Sequence, residues 1–152
     1  MLITRGVDYA MRILRVLAEG GLITGTELCE KAMAPQQFAY KILKKMEGRG
    51  YIKILRGSGG GYQLNADLRS LTLYDLVDAL EKDRLVSACV QPGFYCAWRK
   101  QSGNCRTHKC LLNIQRVLDN ELRAHSLYDV LFGDALEMDD DVMVSQDYGN
   151  AN

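Results

Sequence analysis

Four of the five cysteines fall within residues 89–110, together with one of the two histidines. Pro92, Gly93, Gly103 and Asn104 favour turns, so the stretch is predicted to be a loop rather than a helix or strand. Thiolates are poor material for a hydrophobic core, but they are preferred ligands of zinc, copper(I) and iron–sulfur clusters. The stretch therefore predicts a metal centre, and both a zinc ion and an iron–sulfur cluster are open at this point.

The spacing of the cysteines bears on that choice. Six residues separate Cys89 from Cys96, and eight separate Cys96 from Cys105. Structural zinc sites usually contain at least one closely spaced cysteine pair. The most closely spaced cysteines are Cys105 and Cys110, which are separated by four residues.

Length and composition set the context for this centre. The 152 residues suffice for one domain with an extension. The N-terminus lacks the apolar stretch of a signal peptide, and no apolar run approaches the roughly 20 residues of a membrane-spanning helix. We therefore expect a cytoplasmic protein without a membrane, in which thiols stay reduced and clustered cysteines bind metal or react.

Charge is distributed unequally although the net charge is zero. Residues 1–65 hold 10 Lys and Arg against 5 Asp and Glu, and the remaining residues hold 9 against 14. Within residues 31–56, seven basic residues accompany a single acid, Glu47. This asymmetry indicates a nucleic-acid-binding half joined to a half with another task.

The basic half contains the pattern of a winged helix-turn-helix. Apolar periodicity predicts helices over 5–19, 24–32 and 35–47, the second opened by a capping box at Thr24. Alternating strands at 51–56 and 62–64 flank a glycine-rich turn. Three short helices followed by a glycine-tipped hairpin are typical of this DNA-binding fold.

The third helix is predicted to be the recognition helix. We expect Phe38, Ile42, Leu43 and Met46 to point inward. Amide side chains pair well with adenine in the major groove, and lysines contact phosphates. The expected DNA-binding residues are Gln36, Gln37 and Tyr40 at base edges, Lys41, Lys44 and Lys45 at phosphates, Arg56 in the minor groove, and Gly59 and Gly60 beside the phosphate backbone.

The second half is predicted to be helical on both sides of the cysteines. Helices are expected over 73–82, 109–124 and 127–132. The apolar face of the helix over 109–124 is wide for one small domain, which indicates that it also packs against a second copy. Residues 134–152 hold six acids and no bases, and we expect them to be disordered.

Three segments resemble one family, the Rrf-two family of bacterial winged-helix regulators, and within it the IscR/NsrR-like members. MLITRGVDYAMRIL resembles the family's first helix, RGSGGGYQL resembles its wing, and the three cysteines before a long helix resemble its cluster-binding segment. Cys105-Arg-Thr-His108 is similar to the C-x-T-H ending of that segment. The cysteine spacing is longer than the family's usual one, and Tyr40 replaces an acidic residue of the recognition helix.

The resemblance implies an iron–sulfur cluster on Cys89, Cys96 and Cys105, with [2Fe–2S] favoured over [4Fe–4S]. The fourth ligand it favours is His108, because imidazole can bind iron. Asp8 of the partner subunit, Cys110, and a water or small thiol are the alternatives.

The implied fold is mainly α-helical with a small β-hairpin wing and a long C-terminal dimerisation helix. Its parts are a DNA-binding domain at 1–66, a connecting helix at 67–88, the cluster-binding loop at 89–110, the dimerisation and last helices at 109–133, and the tail at 134–152. The implied function is that of a homodimeric repressor, not an enzyme, which binds a palindromic operator and senses iron–sulfur status, redox state or nitric oxide.

Two other functions use the same fold. One is a regulator that senses redox state through zinc or through thiol chemistry alone. The other is a regulator of cysteine metabolism; the resemblance weighs against it, because those relatives lack the cysteine loop. An enzyme is not favoured, since the chain has no phosphate-binding loop, metalloprotease motif or nucleophile elbow.

Overall fold

The computed structural model describes residues 3–82 and 84–133. These residues form a mainly α-helical fold with one antiparallel hairpin, as predicted. The elements are α1 (Arg5–Leu17), α2 (Gly25–Lys31), α3 (Gln36–Gly48), β1 (Ile52–Leu55), β2 (Gly61–Leu64), α4 (Leu73–Leu80), α5 (Ala97–Ser102), α6 (Arg106–Ala124) and α7 (Leu127–Phe132). The expectation of a disordered tail at 134–152 lies outside the described residues.

The helix starts follow the capping residues of the sequence. The Thr72 side chain accepts a hydrogen bond from the Asp75 backbone, and the Asp75 carboxylate accepts one from the Thr72 backbone, which completes a capping box. At α2 only half of the predicted box forms. Thr24 accepts from the Glu27 N–H, while the Glu27 carboxylate pairs with Lys31 at 3.2 Å.

The core lies among α1 to α4 and is closed by α7. It contains Ile13, Leu14 and Met46, and Leu127 and Leu131 of α7 join the same cluster. Leu127 donates to the Leu71 carbonyl at 2.7 Å, so the C-terminal helix returns to the N-terminal half.

Two side chains depart from the predicted faces. Phe38 was expected inside but is 58% exposed, while Ala39 beside it is buried. A small residue lets α3 approach α1 closely, and the Phe38 ring lies over Tyr9 instead, with 6.4 Å between centroids. Ile13 is fully buried, although the apolar stripe predicted for α1 comprised only Val7, Ala10, Met11, Leu14, Leu17 and Ala18.

The wing is held to the helices at its base. Ile52 pairs with Leu64 and Leu55 with Gly61 in an antiparallel register. Ile23, in the link before α2, exchanges two backbone hydrogen bonds with Tyr62 at 3.1 and 2.8 Å. The hairpin therefore cannot swing independently of the helix pair α2–α3.

The cysteine segment contains more helix than the sequence suggested. The prediction of a loop over 89–110 is wrong for Ala97–Ser102, and a short 3-10 turn spans Ala88–Val90. Helix α6 begins at Arg106 rather than at 109 because Cys105 caps it. Within the described ranges, no helix has the length and apolar character needed to cross a bilayer.

Candidate metal centre and nucleic-acid interface

One cavity collects most of the predicted ligands. Its volume is about 290 Å³, and it is lined by Cys89, Cys96, Cys105 and His108 together with Trp98, Arg99 and Thr107. The 3-10 turn presents Cys89, while Cys96 and Cys105 are the N-cap residues of α5 and α6. Short helices thus bring together cysteines that are widely spaced along the chain.

The cysteine sulfurs receive hydrogen bonds from nearby groups. The Ser87 hydroxyl lies 3.4 Å from the Cys89 sulfur, and the His108 backbone N–H donates to the Cys105 sulfur at 3.4 Å. Cys105 also lies at the N-terminus of the 19-residue helix α6, where the helix dipole favours negative charge. These surroundings suit thiolate, the form of cysteine that binds metals.

The His108 ring has two nitrogens in different surroundings. Its Nε2 lies 3.0 Å from Nη1 of Arg99, which can only donate, so Nε2 accepts and the neutral ring carries its proton on Nδ1. Nδ1 is buried and has no hydrogen-bond partner. Buried polar atoms are nearly always satisfied, so the Nδ1–H is a donor whose acceptor is missing among the described side chains.

The donor set therefore fits a soft metal centre in chemistry and location. Among residues 3–82 and 84–133, no three His, Cys, Asp or Glu side chains converge closely enough to hold a single ion. The predicted ligands therefore share one cavity without forming a preformed single-ion site.

The other predicted ligands do not line this cavity. Cys110 lies on α6 and is exposed. The Asp8 carboxylate pairs with Arg12 one turn along α1 at 2.9 Å. Either residue would act only after a change of partner or from a second subunit.

Cys29 is separate from this chemistry, as expected of a lone cysteine. It is 8% exposed and belongs to the core. Burial raises the pKa of its thiol, and the Glu30 carboxylate raises it further. The contact of Arg99 with His108 was not predicted, because no sequence pattern distinguishes Arg99 from Lys100 beside it.

The outer face of α3 carries most of the predicted DNA-binding side chains. Gln36, Gln37, Tyr40, Lys41 and Lys44 are all exposed. The Gln36 amide donates to the Tyr40 hydroxyl at 2.9 Å, which orders two of the expected base-contacting groups relative to each other.

Lys45 differs from the other two lysines of α3. Its ammonium donates to the Leu80 carbonyl at the end of α4. This hydrogen bond holds Lys45 toward α4, which weighs against its expected role at phosphate.

The backbone geometry of the wing turn requires glycine at two positions that were predicted to lie beside the phosphate backbone. A Cβ on Gly60 would lie 2.3 Å from the Leu55 carbonyl oxygen, so only glycine fits there. Gly59 has a φ of +83°, which disfavours other residues. Arg56 is exposed at the base of this turn.

Known proteins resemble the chain along most of its length. The model of the Rrf2 family, described as "Iron-dependent Transcriptional regulator", matches residues 3–132. The HTH-type transcriptional regulator NsrR of Bacillus subtilis is 27% identical over 92 residues, which are 59% of this chain. That alignment spans 63% of NsrR, less than two thirds of its length.

Solved structures share the fold at low identity. CymR of Staphylococcus aureus matches with a TM-score of 0.61 at 17% identity, over 85% of this chain and 97% of CymR. IscR of T. potens matches with a TM-score of 0.56 at 16% identity, over 89% of this chain and 87% of IscR. The family match extends from α1 to α7 and includes both the wing and the cysteine cavity. The chain belongs to the Rrf2 family of transcriptional regulators and has a winged-helix fold.

Proposed function

We propose that this regulator binds its operator with an affinity that depends on an iron–sulfur cluster held by Cys89, Cys96, Cys105 and a fourth, non-thiolate ligand. The observation that carries the proposal is the shared cavity of these three cysteines and His108. The [2Fe–2S] form remains the favoured one, and the signal is iron–sulfur status, redox state or nitric oxide.

The protein's own groups would tune such a centre. When bound, a cluster supplies a redox-active site whose potential depends on hydrogen bonds to sulfur and on solvent exposure. Ser87 and the His108 N–H supply hydrogen bonds to two of the sulfurs. The fourth ligand is the weakest of the set, so loss of iron or attack by an oxidant begins on that side.

The DNA side of the proposal uses α3 and the wing of each protomer in a homodimer. Gln36, Gln37 and Tyr40 face base edges in the major groove, and Lys41 and Lys44 face phosphates. Arg56, which is exposed, enters the minor groove in this proposal. A two-fold symmetric dimer would read a palindromic operator and repress the gene beside it.

Anaerobic purification followed by iron and acid-labile sulfide analysis tests the cluster. We expect a coloured protein with iron and sulfide in equal amounts. Replacing Cys89, Cys96 and Cys105 together by serine should abolish both, whereas Cys29→Ala should not. A colourless protein with stoichiometric zinc and no sulfide would overturn the proposal.

Affinity for DNA is then compared with and without the cluster. The probe is a fluorescent duplex that the anaerobically purified protein selects from a random-sequence pool. We expect the dissociation constants of the holo and apo forms to differ at least about fivefold, the lower end of typical allosteric coupling. Equal affinities would show that the cluster does not regulate.

The alternatives give different results in the same experiments. A thiol-based sensor would contain no sulfide and would change its affinity when oxidation forms a disulfide among Cys89, Cys96 and Cys105. A regulator of cysteine metabolism, such as CymR, the global cysteine regulator of B. subtilis, would bind DNA equally well after the triple serine substitution.

A further inference from the structure

We infer that Arg84 is a positioning residue that couples the cysteine segment to α3 through the last turn of α4. The inference rests on the proposed function, because it explains how the state of the metal centre would reach the DNA-binding face. It is carried by a continuous set of polar contacts that runs from the approach to Cys89 to the C-terminus of α3.

This set of polar contacts begins at Gln115 of α6, which is only 5% exposed. Its Oε1 accepts from the Val86 backbone N–H at 2.8 Å, and its Nε2 donates to the Asp119 carboxylate at 2.8 Å. Val86 lies three residues before Cys89. The buried amide therefore fixes the approach to the cysteine segment against α6, and a shift of that segment must disturb it.

Arg84 connects this point to α4. Its Nε donates to the Asp78 carboxylate at 2.9 Å, and its Nη1 lies 3.7 Å from the Asp119 carboxylate on α6. The guanidinium also lies over the Tyr74 ring, 4.8 Å from the centroid. The Arg84 and Asp119 side chains are each 27% exposed, so this contact is shielded more than a surface ion pair.

The last turn of α4 is also where α3 and α1 are held. The second oxygen of Asp78 accepts from Arg49, just after α3, at 3.2 Å. Lys45 of α3 donates to the Leu80 carbonyl, and the Thr4 hydroxyl before α1 donates to Glu81 at 2.5 Å. A displacement of Asp78 is therefore passed to the C-terminal end of the recognition helix.

A lysine at position 84 could not make the contacts that Arg84 makes. One planar guanidinium reaches carboxylates on two helices at once, whereas an ammonium is a point charge on a flexible stem. Arg84→Ala should leave metal binding intact, because Arg84 does not line the cysteine cavity. It should instead weaken the effect of the metal centre on α3 and therefore on DNA affinity.

The test measures the ratio of holo to apo affinity for the selected duplex in Arg84→Ala and the unaltered protein. We expect Arg84→Ala to reduce the difference from about fivefold or more to about twofold or less, within the range that altered coupling residues produce. Iron and sulfide content should not change. Arg69→Ala is the matched control, since it removes the same charge from over another ring, that of Tyr128, and should leave the ratio unchanged.

A second variant tests the same contact independently, in case Arg84→Ala does not fold. Asp119→Asn keeps the shape of the side chain but removes the charge facing Arg84, and it should reduce the ratio in the same way. The double variant should reduce it no further, because both changes break one connection. A merely structural role would lower both affinities and give additive losses without changing the ratio.

The outcomes separate the two proposals. If the unaltered protein shows equal holo and apo affinities, the proposed function fails and the inference fails with it. If the unaltered protein shows a difference that Arg84→Ala and Asp119→Asn both retain, the proposed function stands and the inference is overturned.

Discussion

The imidazole of His108 can bind a metal only if its present arrangement changes. Arg99 donates to Nε2, and the proton of the neutral ring then occupies Nδ1. Ligation through Nε2 requires Arg99 to release the ring, and ligation through Nδ1 requires that nitrogen to lose its proton. As the proposed fourth ligand, His108 must therefore change its hydrogen bonding or its protonation before it can bind the metal.

Single substitutions distinguish the candidates for that position. We expect His108→Ala to weaken metal retention by at least the roughly 10- to 100-fold typical of outer-shell changes, because it removes a direct ligand. Asp8→Ala and Cys110→Ser should retain the centre as well as the unaltered protein does. Anaerobic iron release to a chelator gives the rates.

The same experiment can contradict this choice. If His108→Ala releases iron at the unaltered rate while Asp8→Ala releases it faster, the ligand comes from the first helix of the partner subunit. Loss only in Cys110→Ser would assign the exposed thiol on α6 instead.

The thiols should also differ in reactivity once the metal is removed. Burial and the Glu30 carboxylate raise the pKa of the Cys29 thiol, so less of it is thiolate near neutral pH. Because Cys110 is exposed, we expect iodoacetamide to modify Cys110 first and Cys29 last. Peptide mass spectrometry over time measures the order, and rapid labelling of Cys29 in the folded protein would contradict its place in the core.

The residue types predicted which side chains share a cavity better than they predicted the contacts around them. Cysteine chemistry and the C-x-T-H ending were sufficient to choose Cys89, Cys105 and His108, which line one cavity. The contact between Arg99 and His108 depends on how α5 is oriented relative to α6. No local pattern encodes that orientation, so the contact could not have been predicted.

The recognition helix α3 illustrates how one element divides its charges between two tasks. Lys41 and Lys44 are exposed, whereas Lys45 is bonded to the Leu80 carbonyl. Each phosphate contact contributes about −0.9 to the slope of log K against log salt. We expect Lys41→Ala and Lys44→Ala each to make the slope shallower by about 0.9 per protomer, and Lys45→Ala to leave it unchanged.

Fluorescence anisotropy with the selected duplex at several salt concentrations measures these slopes. Lys45→Ala is the matched control, because it removes the same side chain from the same helix. An equal change in all three variants would mean that Lys45 leaves α4 when DNA binds.

Periodicity and caps located every predicted helix in the described ranges, because those signals are local. The last helix was predicted at 127–132 and lies at Leu127–Phe132. Phe38 was misplaced because the close approach of α1 and α3 selects the small Ala39 for the interior, which is a tertiary effect. Helix α5 was missed because the glycine and proline residues around it indicate a loop, and six residues are too few to show a helical periodicity.

At the scale of the whole molecule, α4 packs against both the recognition helix α3 and the helix α6 that follows the cysteines. The basic half and α7 share one core, while α6 packs on α4 and carries the cysteine segment. On α6 the apolar side chains of Ile114 and Val117, three residues apart and therefore on one face of the helix, remain 42% and 57% exposed. A helix with an uncovered apolar face is incomplete as a single chain, which supports the proposed homodimer.

Val117→Asp tests whether that face joins two copies. A charge placed in an apolar interface must be desolvated without a partner, so we expect sedimentation velocity to show a monomer. Affinity for a palindromic duplex should fall by roughly 100-fold, because the two half-sites are no longer bound as a linked pair. Val130→Asp on α7 is the control, since it makes the same change at a side chain that is 39% exposed but lies off α6. If Val117→Asp sediments as the unaltered protein does, the two copies do not meet through this face.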